Sequence, residues 1–255
     1  MKRILPCLLL ALILPLSVRG ETVPQLFDAG VSEYRQGNFD RSAGIFLDLV
    51  EKYDVVSPDV LANLGSAEFA AGRAGDAMLH LMMAARLDPD GRAGQTAAVN
   101  LDRIRSLLNE RQEGRSGSAY VFGGYTDPWM ALFSWLPPQA ALIAFLACWA
   151  SFFVSLAVRR MLRPESARTL AAIALALTVA TGFMAYATSR ISGYRTGVVL
   201  TESTPLMTSI ASTEPSATLP EGLEFRVMER RGAWVRIRLS SGLTGWIPES
   251  EAGIP

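Results

Sequence analysis

The side chains able to do chemistry in this chain are few and poorly grouped for it. His80 is the only histidine, and it falls on a helical stretch among positions that read as surface. Of the two cysteines, Cys7 lies in an apolar leader and Cys148 in a long uncharged run. A Cys-His nucleophile pair, a thiolate metal cluster and a disulfide in the mature chain are therefore out of reach. Cys148 reads as a small packing residue, with palmitoylation or redox sensing as the alternative. No glycine-rich loop runs into Lys-Ser or Lys-Thr, so a phosphate cradle is missing. Asp28, Asp40, Asp48 and Asp76 sit on amphipathic helices, where carboxylates normally form a solvated face. These residues predict a protein that is not an enzyme and that needs no cofactor and no metal.

The elements that position everything else are two uncharged runs. Gln139 to Val158 is 20 residues without a charge, about 30 Å of helix at ~1.5 Å per residue, which matches a hydrocarbon core. Thr169 to Ser189 is a second uncharged run of 21 residues. The expectation is a transmembrane hairpin, residues 139–159 and 169–190, joined by a cytoplasmic loop, 160–168. Arg159, Arg160, Arg163 and Arg168, against the single acid Glu165, set that orientation: an Arg at the bilayer centre costs about 2.5 to 3.5 kcal/mol, and basic loops stay in the cytoplasm. Neither run carries an ionisable Asp, Glu, Lys, Arg or His, so the hairpin reads as an anchor rather than a transport path. The other reading is a pair of core helices in a soluble protein.

Residues 1–20, with Lys2 and Arg3 ahead of an apolar stretch, read as a secretory signal cut near Gly20. Export of the segment after Gly20 agrees with the orientation set by the arginine loop. Without residues 1–20 the chain has 21 basic and 24 acidic residues, a net charge of about −3, and nothing in it argues for nucleic acid. Both flanks of the hairpin are thus placed away from the cytoplasm.

An internal repeat fills the upstream flank, residues 21–113. Gly30, Tyr34, Gly37, Ser42 and Phe46 return 35 positions later as Gly65, Phe69, Gly72, Ala77 and Leu81, before Asp88-Pro89. A further helical run, Arg92 to Gln112, carries Ala97, Leu101, Ile104 and Leu108 on one face and caps the stack. The segment LANLGSAEFAAGRAGDAMLHLMMAARLDP resembles a tetratricopeptide repeat, and VPQLFDAGVSEYRQGNFDRSAGIFLDLVEKY matches it less completely. Such a resemblance implies a curved surface lined by the first helix of each pair, fit for peptides or partner helices. It places Phe27, Val31, Tyr34, Arg35, Asp59, Ala62, Ser66 and Phe69 toward the groove, with ordinary core the better reading for Tyr34 and Phe69. The family's carboxylate clamp uses groove lysines. Only Lys2 and Lys52 occur here, so that activity is not expected.

Residues 114–138 read as a linker and an interfacial segment, with YVFGGYTDPW approaching the membrane surface or offering a partner patch. Downstream, over 197–255, the period becomes two: Leu223, Phe225, Val227 and then Val235, Ile237, Leu239 alternate with polar or charged residues. The pattern LPEGLEFRVMERRGAWVRIRLSSGLTGWIP resembles the bacterial SH3-like domain, although the usual Arg-x-Gly-Pro run is missing from the first half. Trp234 and Trp246 are its ligand-facing candidates, and packing of a small barrel explains them equally well. The expected fold is therefore a multi-domain membrane protein: an all-α tetratricopeptide-repeat domain, a two-helix transmembrane hairpin and a small all-β SH3-like barrel.

That order of parts resembles the BatE-like proteins of the bacterial aerotolerance (Bat) operon. The resemblance implies an envelope or oxygen-stress-tolerance complex with von Willebrand A-domain membrane proteins and a MoxR-type AAA ATPase, and a role as a scaffold or adaptor in a bacterial inner membrane with the repeat and SH3-like domains on its periplasmic side. The alternative is a cell-wall sensor whose SH3-like domain binds peptidoglycan peptides.

Overall fold

The computed structural model describes residues 22–113, 120–123, 138–162, 166–192 and 195–255. The leader, most of the 114–138 linker and Arg163 lie outside them. Among the described residues the chain forms seven helices and a small antiparallel sheet region, a mixed α and β fold.

Helices α1 (Val23–Arg35) and α2 (Phe39–Glu51) make one hairpin, α3 (Pro58–Ala70) and α4 (Ala74–Leu87) the next, and α5 (Arg92–Glu113) packs on α4 and α3. The starts are encoded locally. Gln25 reaches back to the Thr22 amide at 2.9 Å, and Ser57 accepts from the Val60 amide at 3.2 Å ahead of Pro58. Both hairpins turn identically. Gly37 and Gly72 lie at φ +84° and +90°, where a side chain is strained. Their amides donate to Tyr34 and Phe69, each at 3.0 Å, while the next amides, Asn38 and Arg73, donate to Glu33 and Glu68 at 3.0 and 2.9 Å. Close approach has the same cause in each pair: a Cβ on Gly30 would lie 2.8 Å from the Phe46 ring, and one on Gly65 2.7 Å from Leu81.

Strands β1 (Thr196–Val199), β4 (Glu224–Arg231), β5 (Trp234–Leu239), β6 (Thr244–Pro248) and β7 (Ala252–Gly253) form an antiparallel sheet in the order β6-β5-β4-β1-β7. A ribbon of β2 (Thr204–Leu206) and β3 (Ala217–Leu219) stands apart. The expected closed barrel does not form. Among the described residues the ribbon's backbone bridges the sheet where Met207 meets Trp246, and Leu206 packs over Gly245 of β6. After β3, Pro220 offers no amide to a ladder, and Gly222, at φ +80°, bends the chain so that its amide donates to Val199 at 2.9 Å. β4 consequently pairs with β1 and not with β3.

The apolar core runs through both units. Leu61, Ala77, Met78, Leu81, Ile104 and Leu108 of the helices continue into Val198, Val199, Leu223, Phe225, Val235 and Ile237 of the sheet. Ala43, Phe46, Leu49, Val60, Leu64 and Ala67 fill a second core between the first hairpin and α3. Phe122, expected near a membrane surface or in a partner patch, belongs to the main core and is 3% exposed. The Asn109 side chain holds it there, donating to the Phe122 carbonyl at 2.6 Å and accepting from its amide at 2.8 Å.

Helices α6 (Pro138–Leu162) and α7 (Ser166–Ser192) pack on one another. Their seam is small-residued: Ala141, Ala171 and Thr178 are buried, and Gly182 makes room for Phe145. Elsewhere large apolar side chains face outward, with Ile143 66% and Val179 65% exposed. Gln139–Val158 is long and apolar enough to cross a membrane, with mean hydropathy 2.3, while the apolar stretch of α7, Ala171–Tyr186, is shorter.

Gly75 tests the joint between the units. A Cβ there would lie 2.7 Å from the Leu200 Cα and the Val199 carbonyl oxygen, backbone that cannot swing aside, whereas Gly44 faces open space on α2. Gly75→Val should cost about 1–3 kcal/mol in denaturant unfolding of the detergent-solubilised chain. Gly44→Ala should raise stability by up to about 1 kcal/mol.

Candidate functional site

The first helix of each unit, α1, α3 and α5, lines one face of the helical stack, and there the packing leaves a cavity of about 250 Å³. Tyr34 closes one side from the last turn of α1, 38% exposed and edge-on to Phe39 with centroids 5.3 Å apart. Ser66, Phe69 and Ala70 of α3 form the back, Leu81 of α4 the floor, and Asn100, Arg103, Ile104 and Leu107 of α5 the far wall. Asn100 donates to the Ser66 hydroxyl at 3.1 Å, and that hydroxyl donates to the Ala62 carbonyl at 2.7 Å. Arg103 is exposed at the rim and has no ion pair among the described residues. The chemistry on offer is an apolar slot with a cation at its edge. At this volume it falls below the roughly 300–1,000 Å³ of small-molecule sites and has room for one or two side chains.

Of the residues that the repeat alignment points toward the groove, Tyr34, Ser66 and Phe69 reach this cavity, and of the partner-binding candidates Ser66 does. Phe27 stacks edge-on against Phe46 at 5.6 Å, Val31 packs on the second core, and Ala62 is buried in the main one. Arg35 and Asp59 are exposed, at the last turn of α1 and the first turn of α3. Tyr34 and Phe69, read as core, are cavity walls. The α5 residues escape the sequence reading because a capping helix is not expected to line a groove. Its polar positions Asn100 and Arg103 between core residues are the available signal.

His80 is likewise not the surface histidine expected. Its side chain is 15% exposed, and Nδ1 lies 2.6 Å from Oε2 of Glu68, which is 5% exposed. The pair crosses from α3 to α4 inside the second hairpin, where it satisfies two polar groups that burial would otherwise penalise. Among the described residues no group of three His, Cys, Asp or Glu is placed to hold a metal.

Trp246 is 7% exposed, with its backbone bridged to Met207 and the Arg231 guanidinium 5.5 Å from its ring. Trp234 is half-buried opposite Arg231 at the start of β5. Among the topology arginines, Arg160 is exposed on α6, Arg159 and Arg168 lie on α6 and α7 with side chains outside the described set, and Arg163 lies outside it entirely.

Polar contacts fix α4 and α5, and so the cavity walls, against the sheet. Arg105 Nε donates to Glu224 Oε1 at 2.7 Å, with Glu224 3% exposed, and Arg105 also meets Asp102 at 2.7 Å. Burial lowers the Arg105 pKa, but its hydrogen bonds to Glu224 and Asp102 and their charge raise it above the ordinary value overall. The Glu221 carboxylate accepts from the Gly75 amide at 2.6 Å, an N-terminal cap for α4 supplied from the sheet unit. Arg86, at the other end of α4, donates to the Thr196 hydroxyl at 2.8 Å and the Pro255 carbonyl at 3.0 Å.

Comparison with protein-family models, curated proteins and solved structures finds no match to this chain.

The seam should respond to pH. Desolvation, with help from Asp76 and Glu202, raises the Glu221 pKa above the usual carboxylate value despite the amide contacts that lower it. A raised carboxyl pKa in the folded state means that the folded chain holds this proton more tightly than the unfolded one. Its contribution is complete below the unfolded pKa and is lost as pH rises through the folded one. Glu221→Gln should remove that part of the pH dependence and leave the chain at least as stable near neutrality, read from denaturant midpoints over about pH 4 to 7. Arg105→Met, which takes the paired guanidinium from a buried carboxylate, should cost about 3 kcal/mol.

Proposed function

We propose that this chain is a membrane-anchored, non-enzymatic scaffold whose helical face takes a partner segment bearing an apolar side chain next to an acidic one. The observation that carries this is the open cavity between α1, α3 and α5 with Arg103 exposed at its rim. The repeated helix pairs, with the same glycine turns 35 residues apart, support a tetratricopeptide-type stack, a fold class that presents such grooves. The sheet unit supports an SH3-like module in a flattened, open form.

The membrane anchor is part of the proposal. Residues of 22–113 and 120–123 share one core with residues of 195–255, so these parts lie on the same side of any bilayer the chain crosses. A single crossing by α6 would place about 30 Å of hydrocarbon between Leu108 and Gly222, whereas a Cβ on Gly222 would lie 2.7 Å from Leu108. If α6 spans, α7 spans as well, which gives a hairpin with the arginine loop in the cytoplasm and both units in the periplasm. The outward-facing apolar side chains of α6 and α7 support the same arrangement. The partners proposed are those implied by the Bat-operon resemblance: von Willebrand A-domain membrane proteins and, through the complex, a MoxR-type AAA ATPase. Of the two recognition candidates of the cell-wall sensor reading, Trp246 is buried and Trp234 is half-buried.

Crosslinking in native membranes followed by mass spectrometry should recover the von Willebrand A-domain proteins. Arg103→Glu should reduce that recovery at least about tenfold, the effect of a central interface residue, without changing the unfolding midpoint. Topology is read separately in a background lacking Cys7 and Cys148. A membrane-impermeant maleimide should label Ala98→Cys and Ser240→Cys from one side, and Glu165→Cys only after permeabilisation. Labelling of Ala98→Cys and Ser240→Cys from opposite sides would overturn the hairpin.

A further inference from the structure

The charge of this nearly neutral chain is unevenly distributed. Residues 22–91 hold eleven acidic and five basic residues, whereas the β4–β5 hairpin, Glu224 to Leu239, holds five arginines and two acids. One of those acids, Glu224, is buried and already paired with Arg105. The hairpin also reaches in a particular direction. β1 begins at Thr196, four positions after the end of α7, and Thr196 pairs with Arg226. β4 then runs antiparallel for five more residues to Arg231, about 16 Å at ~3.3 Å per residue, back toward the side from which the chain leaves α7.

The tip is a two-residue loop, Gly232-Ala233, with Gly232 at φ +60°. Around it stand Arg230, Arg231 and Trp234. Met228, left unpaired at the bulge between Val227 and Glu229, is 47% exposed. Arg230 pairs with Glu249 at 3.4 Å and Arg231 with Glu229 at 2.7 Å, in groups at least 40% exposed. Exposed pairs of this kind contribute little and exchange readily. Arg236, exposed on β5, has no ion pair among the described residues. Arginines flanking a tryptophan and an exposed methionine, on a projection that starts beside a membrane exit, match a surface of acidic headgroups over a shallow apolar layer.

We infer that the β4–β5 hairpin tip docks on the bilayer beside its own anchor, with Arg230, Arg231 and Arg236 on anionic phospholipid headgroups and Trp234 and Met228 at the interface. The inference rests on the transmembrane reading above. Docking holds the joined helix and sheet units at a fixed tilt, so that the groove around Arg103 meets partners in one orientation.

The test uses the full chain in nanodiscs, with Cys7 and Cys148 replaced and a fluorophore on one introduced cysteine. Ile143→Cys reports insertion of α6 through acyl-chain nitroxides, Ala233→Cys reports the tip through headgroup nitroxides, and Glu202→Cys serves as a distal control. The expected result is Ala233→Cys quenched strongly in phosphatidylcholine–phosphatidylglycerol discs and weakly in phosphatidylcholine alone, with Glu202→Cys unquenched. Arg230→Gln with Arg231→Gln should lower the ratio of docked to free tip about fivefold for each arginine removed. Quenching at Ile143→Cys without quenching at Ala233→Cys would leave the anchor standing and overturn the docking. Equal quenching of Ala233→Cys in both lipids would overturn the anionic headgroup as its partner. No quenching at Ile143→Cys would remove the anchor and this inference together.

Discussion

The structure depends on one constraint: a hydrophobic core completed by two stretches of chain that lie on either side of a long apolar hairpin. Met78 and Leu108 on the helices close over Gly222 and Phe225 on the sheet, although both α6 and α7 intervene between Glu113 and the start of β1 at Thr196. Closing so long a loop costs only slightly more than closing a short one, because the entropy grows with the logarithm of its length. Neither unit is self-sufficient. Two helix pairs bury little surface in a solenoid, which usually needs about three repeats, and five short strands with an uncapped face would leave Val198 and Leu223 wet. Each covers the other's deficit, and the hairpin must return the chain to the side it left.

Polar contacts at this joint set its register rather than its strength. A buried pair such as Arg105 and Glu224 gains less than its desolvation suggests when compared with an apolar replacement, but breaking it takes the paired charge from a buried one. Sliding α4 and α5 along the sheet by one turn, about 5.4 Å, would do that, and would also pull Glu221 from the Gly75 amide and Arg86 from Thr196. The three contacts lie on different turns of α4 and α5, so they cannot all be re-made in another alignment. The apolar core provides cohesion that is indifferent to small shifts, and these groups make one arrangement distinct.

How much of this the sequence discloses depends on the range of each interaction. Gly37 and Gly72 announce their turns because the left-handed backbone is a property of one residue, and Val235, Ile237 and Leu239 announce a strand because alternation is local. The joint is illegible for the opposite reason. Gly75 looks like any small residue early in a helix until Val199 and Leu200, over 120 positions away, are laid against it. Phe122, among aromatics before an apolar run, looks interfacial, and only the Asn109 side chain explains why it turns inward. His80 carries no mark of its partner, since Glu68 lies 12 positions upstream on another helix. In the groove, the repeat alignment points Tyr34, Ser66 and Phe69 of helices α1 and α3 to the right face but takes Phe27 and Val31 with them. Phe27 and Val31 turn to Phe46 and its neighbours, and the cavity instead opens toward Tyr34, Phe69 and the polar positions of α5.

A flexible tether and a rigid mount do different things for a scaffold. Two binding modules on a loose linker raise each other's effective concentration without fixing a geometry. Here the helical and sheet units are joined through a common core, so the hairpin carries one body rather than two. The face formed by α1, α3 and α5 then has a set direction relative to β1, and β1 follows α7 within four residues. The angle at which that body leaves α7 therefore decides which way the groove faces, and a partner confined to the same surface would meet it with part of its rotational freedom already removed, one of the main costs of association.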